Sequence, residues 1–187
     1  MADRIFISED DSYLFGQGTH YDIYKKLGSH FSEENGKKGV FFAVWAPNAA
    51  QVYVIGTFNG WNETANPMQL QKKSGIFTTF IEGLCEGELY KYLIITPEGK
   101  KLYKADPFAN YSEMRPGTAS CITDLDRITW SDSKWMLARD EKNLTEEPMA
   151  VYECHIGSWM RHPSPEEEGF YNYREFADRI VEYLKKM

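Results

Sequence analysis

The 187-residue sequence has no apolar run near the ~18 residues that a membrane-crossing helix needs, and no apolar core follows its first residues, MADRIFISEDDS. It also lacks paired cysteines. Cys85, Cys121 and Cys154 lie far apart without a C-x-x-C spacing, which argues against a disulfide framework or a zinc site and suits reduced thiols in the cytoplasm. Basic excess is missing as well: 21 Lys and Arg stand against 28 Asp and Glu, giving a net charge of −7. Phosphate backbones are held through Lys and Arg, so nucleic acid is not an expected partner. No internal repeat or low-complexity stretch appears. What the chain has in quantity is aromatic side chains, 15% of all residues, with five Trp and twelve Tyr. That share calls for a β-rich core or a stacking surface.

The segment Ser8 to Phe31 reads as two short helices. Ser8 ahead of Glu9, Asp10 and Asp11 is a helix start, and Gly16 and Gly18 break it. Thr19 with Asp22 resembles a capping box for a second helix, Tyr21 to Leu27, stopped by Gly28. From Gly39 the pattern becomes strands: Val40–Trp45, Gln51–Ile55, Gly75–Ile81, Leu89–Thr96, Lys101–Lys104 across a Pro97–Lys100 turn, and Ala119–Asp124. About six or seven short strands at this spacing predict a β-sandwich. Residues 127–148 read as a polar linker carrying Trp130 and Trp135. Met149–Ile156 reads as a mostly apolar strand, followed by a polar loop and an amphipathic helix. Asn172 and Glu175 cap that helix, and Tyr173, Phe176, Ala177, Ile180, Val181, Leu184 and Met187 line one face.

Two places carry candidate binding chemistry. Sugar rings pack C–H patches on aromatic faces while their hydroxyls need donors and acceptors. In Phe58-Asn59-Gly60-Trp61-Asn62, Asn-Gly favours a tight turn, which leaves Trp61 either at a rim or as a core aromatic beneath the loop. In Tyr90-Lys91-Tyr92, alternation puts Lys91 opposite both tyrosines, and Tyr103 follows across the hairpin. These read either as a hydroxyl donor with a second stacking ring, or as a surface lysine and a half-buried tyrosine. Near the later strand, His155 and Trp159 either line a cleft or hold a loop. His155 and His162 are too weakly patterned for metal ligands, and no cofactor is expected.

Gly39–Ala49, Gly56-Thr57-Phe58-Asn59-Gly60-Trp61 and Lys104-Ala105-Asp106-Pro107-Phe108-Ala109 resemble carbohydrate-binding module family 48. The resemblance implies an immunoglobulin-like β-sandwich over residues 34–126, with a helical extension at 1–33. It implies contacts to an α-1,4-glucan from Trp61, Lys91 and Tyr103, the last standing where the family has Trp. Ser120 falls where some members use Asn. The flanking Leu14–Tyr21, Leu27–His30, Met114–Ser120 and Val151–Trp159 are similar to bacterial-type glycogen branching enzymes of glycoside hydrolase family 13. That likeness implies a mainly β chain ending, over 149–187, in the first strand and helix of a (β/α)₈ barrel. The catalytic carboxylates are then expected beyond Met187, and these residues are expected to bind but not to branch. Three other readings stay open: a sandwich that only packs on a barrel, a debranching enzyme, or a trehalose-forming hydrolase. Self-association through the exposed last helix is a further expectation, as is a location away from membranes.

Overall fold

The computed structural model describes residues 5–71, 73–143, 145–163 and 169–187. Residues 1–4, which open the expected extension, and 164–168, within the expected polar loop, lie outside it. Two compact units result, Met1–Thr129 and Trp130–Met187.

Val40 to Val44 is apolar without alternation, as a strand covered on both faces must be. It lies in β2 (Lys37–Trp45), which is buried from Gly39 to Val44. β2 pairs on one side with β1 (Gly28–Glu34) and on the other with β5 (Ile76–Glu82), whose far edge takes β4 (Gln69–Gln71). The second sheet centres on β6 (Leu89–Ile95). β3 (Gln51–Gly56) pairs along one edge, and β7 (Lys101–Lys104) and β9 (Ser120–Cys121) share the other, with β8 (Tyr111–Ser112) beyond β9. Every pairing is antiparallel. Val40, Phe42, Val44 and Phe77 from the first sheet meet Val52, Val54, Tyr90, Tyr92 and Ile122 from the second in one core. This is the immunoglobulin-like sandwich that the sequence predicts.

The outer face of the first sheet is covered too. Phe41, Ala43 and Ile76 pack there with Leu27 beneath Ile5, Ile7, Phe15, Ile23 and Phe108. Ser8 caps α1 (Glu9–Gly16) as expected, its Oγ accepting from the Asp11 N–H at 3.0 Å while Asp11 Oδ2 accepts from the Ser8 N–H at 2.7 Å. Asp11 also receives Lys26 Nζ at 2.6 Å and lies 2.8 Å from His20 Nε2, which ties α1 to the chain ahead of β1.

The second expected helix does not form. Only the 3₁₀ turn Ile23–Lys25 appears, and Gly28 opens β1 instead of stopping a helix. The reason is tertiary: Gly28 through Glu34 lie in register with Ala43 through Lys37, and that ladder outweighs the weak β-propensity of Ser29-His30-Phe31-Ser32-Glu33. The sandwich therefore starts inside residues 1–33, which the sequence reading gave to a helical extension.

In the second unit, α2 (Ser133–Asp140) interrupts the expected linker. Met149–His155 forms no strand, because a strand exists only through a ladder and no neighbour pairs with it among the described residues. The short α3 (Ile156–Trp159) follows it. α4 (Tyr173–Lys186) carries the expected box, with Asn172 Oδ1 accepting from the Arg174 and Glu175 N–H groups at 3.0 Å. Trp159 lies edge-on to Phe176 and Tyr183 and donates its indole N–H to Tyr152 Oη at 2.8 Å, so it serves packing on α4.

Candidate functional site

Register fixes which side chains share the outer face of the second sheet. Val52, Val54, Tyr90, Tyr92 and Ile94 point inward or pack on the core. Their neighbours therefore point out, in rows: Tyr53 beside Leu93 beside Tyr103, Gln51 beside Ile95 beside Lys101, and Ile55 beside Lys91. Leu93 and Ile55 are only 1% and 2% exposed although they face outward, so longer side chains cover them. Tyr103 stays 51% exposed. At the Ile55 end, Lys91 Nζ donates to Thr118 Oγ1 at 2.7 Å.

The loop leaving β3 carries Trp61. Asn59 holds its root: Oδ1 accepts from the Gly56 N–H at 3.0 Å, and Nδ2 donates to Val54 O at 3.1 Å and Asn66 Oδ1 at 2.7 Å. Gly60 and Trp61 both adopt the left-handed region, φ 62° and 61°, which is strained for a bulky side chain. Trp61 N–H closes the turn on Gly56 O at 2.8 Å, and the indole remains 39% exposed. Two residues on, the Glu63 carboxylate accepts from Lys101 Nζ and Tyr103 Oη on β7. β6 lies between β3 and β7, so the loop spans the outer face to reach them. Lys101, then Tyr103, hold the Glu63 carboxyl below the usual range, and Glu63 in turn raises the Tyr103 hydroxyl.

Register thus puts Lys91 and Tyr103 on one face, and the loop that carries the exposed Trp61 is bonded to that face through Glu63. Ser120 does not join them. It pairs with Tyr90 on the inward side, is 1% exposed, and accepts the Asp106 N–H at 2.8 Å. A side chain so placed cannot touch a bound sugar. Its role is in the network where Tyr90 and Tyr92 hydroxyls donate to Asp106 Oδ2 at 2.6 and 3.0 Å and the Phe108 N–H donates to Oδ1 at 2.8 Å. Burial pushes Asp106 above the usual carboxylate range, against the pull of those donors, and raises both tyrosines. Sequence reasoning missed Tyr53, Glu63 and Thr118. Alternation along Gln51–Ile55 could have placed Tyr53 outward, whereas only the folded loop brings Glu63 to β7.

Exposed aromatic rings beside hydrogen-bond donors and acceptors are the groups that a sugar's C–H patches and hydroxyls can meet. The family Carbohydrate-binding module 48 (Isoamylase N-terminal domain) matches residues 26–109 of this chain. The whole sequence is similar to one group of enzymes in particular. It is 64% identical, over all of its length and 29% of the relative's, to the 1,4-alpha-glucan branching enzyme GlgB of Butyrivibrio fibrisolvens. To the GlgB of Protochlamydia amoebophila it is 46% identical over 96% of this chain and 24% of that protein. The chain thus spans under a third of the curated relatives it matches. Among solved structures, the Klebsiella pneumoniae pullulanase complexed with maltotriose is 25% identical over 54% of this chain and 10% of that one, TM-score 0.43.

Proposed function

We propose that the outer face of the second sheet binds α-1,4-glucan chains for a 1,4-alpha-glucan branching enzyme of glycogen synthesis. Trp61 stacks on a sugar ring, Tyr103 offers a second ring, and Lys91 donates to hydroxyls with Thr118 beside it. The observation that carries this reading is the exposed indole of Trp61, held at positive φ on a loop anchored to β3 and bonded to β7. A loop that only closed a sandwich would have no reason to hold a large ring in that conformation. The match to a carbohydrate-binding family and the names of the relatives support the choice of glucan.

The test is calorimetric titration of the 187-residue chain with maltoheptaose. Trp61→Ala should weaken binding at least about tenfold, ~1.4 kcal/mol, as loss of an aromatic anchor does. Unchanged affinity would remove the site, and no binding at millimolar ligand would favour a purely structural sandwich. Among the described residues the second unit contains α2, α3 and α4 and no strand ladder of a barrel. This reading assigns these 187 residues binding and not bond formation, and new α-1,6 linkages made from amylose would contradict it. The three free thiols, Cys85, Cys121 and Cys154, fit a cytoplasmic setting. Among the described residues no helix is long and apolar enough to cross a membrane.

A further inference from the structure

The bonds that root the Trp61 loop lie on β3 and at the start of β6, where Thr57 Oγ1 donates to the Glu88 carboxylate and accepts from the Leu89 N–H at 3.1 Å. Asn59 ties it to Gly56, Val54 and Asn66, and Trp61 N–H returns to Gly56 O. These fix the turn but not the reach of its tip. Across β6, the bonds from the tip go through one side chain, Glu63, to Lys101 and to the hydroxyl of Tyr103. Lys101 and Tyr103 point outward from β7, so both bonds sit on the binding face itself. Tyr103 has its hydroxyl engaged, and its ring is what remains for a ligand.

We propose that Glu63 is a positioning residue for glucan binding: its carboxylate clamps the strained Trp61 loop to β7 and makes Trp61 and Tyr103 one preorganised platform. The inference rests on the glucan reading above. An exposed ion pair contributes little to fold stability, so the clamp acts where the loop would otherwise be ordered at the expense of binding. Its loss is read in affinity, not in melting.

The experiment compares maltoheptaose affinity and thermal unfolding of the full chain for wild type, Trp61→Ala, Glu63→Ala, Glu63→Gln and the Trp61→Ala/Glu63→Ala pair. Glu63→Ala should weaken binding about fivefold with an unchanged unfolding midpoint. Glu63→Gln keeps an acceptor for Tyr103 and should recover part of that loss. In the Trp61→Ala background, Glu63→Ala should add almost nothing, because there is no ring left to position. Tyr103→Phe removes one of the clamp's two bonds from the β7 side, keeps the ring and leaves Lys101 in place, so it should give part of the Glu63→Ala loss, a check that holds even if a Glu63 variant folds poorly. Glu63→Ala binding within about twofold of wild type, or adding fully to Trp61→Ala, would overturn the clamp while leaving the glucan site intact. Wild-type affinity in Trp61→Ala would overturn both.

Discussion

At the scale of single residues, buried polar groups separate those that hold the sandwich from those that face a ligand. Asp11 is 10% exposed by side chain and sits among Lys26, Ser8 and His20. Burial pulls its pKa up, but bonds from Lys26, Ser8 and His20 outweigh that and hold it well below the usual value of 3.8. A folded pKa below the unfolded one means stability that is present above about pH 4 and is lost as pH falls below it. Asp11→Asn should therefore lower stability at neutral pH and flatten the loss between about pH 4 and about pH 2, measured by urea melts across that range. Asp106, raised by burial, works with the opposite sign. Ser120→Ala should cost about 1–3 kcal/mol by stranding the buried Asp106 N–H, while maltoheptaose affinity stays at the wild-type value. Lowered affinity would return Ser120 to the binding face.

At the scale of elements, alternation and turn chemistry made most of the sandwich readable. β2, β3, β5, β6 and β7 stand where their apolar runs predict. β1 was hidden because Ser29-His30-Phe31-Ser32-Glu33 lacks a β pattern, although Asn35-Gly36, at φ 52° and 78°, is a recognisable hairpin turn into β2. The same alternation placed Lys91 outward, but Ser120 was carried over by resemblance, and only pairing with Tyr90 reveals that it points inward. The apolar stretch Met149–His155 fails in the other direction: propensity without a partner makes no strand. Gly28 marks how tightly β1 is set. At φ 107° a Cβ would come within 2.9 Å of Phe108 O, so Gly28→Ala should destabilise the first unit by about 1–3 kcal/mol, as read by its melting. In the second unit, Asn172→Ala should reduce helix content of α4, with a cost of about 1 kcal/mol.

At the scale of the whole molecule, the N-terminal segment covers one outer sheet face with Ile5, Ile7 and Phe15, and the other carries the exposed ring of Tyr103, to which Glu63 of the Trp61 loop is bonded. The second unit leaves Val181 and Leu184 of α4 48% and 44% exposed. An amphipathic helix with such a face favours association, so light scattering should give a mass that rises with concentration. A constant monomer mass would exclude it. The open surface of the second sheet has a statistical consequence for polymers. A platform that grips a chain from the side can be occupied by any internal stretch of the right span, so each added glucose offers one more register. The association constant per chain should then climb in proportion to chain length while the constant per register stays fixed. Sized maltooligosaccharides would display that slope, and chemical blocking of the reducing end would leave it unchanged.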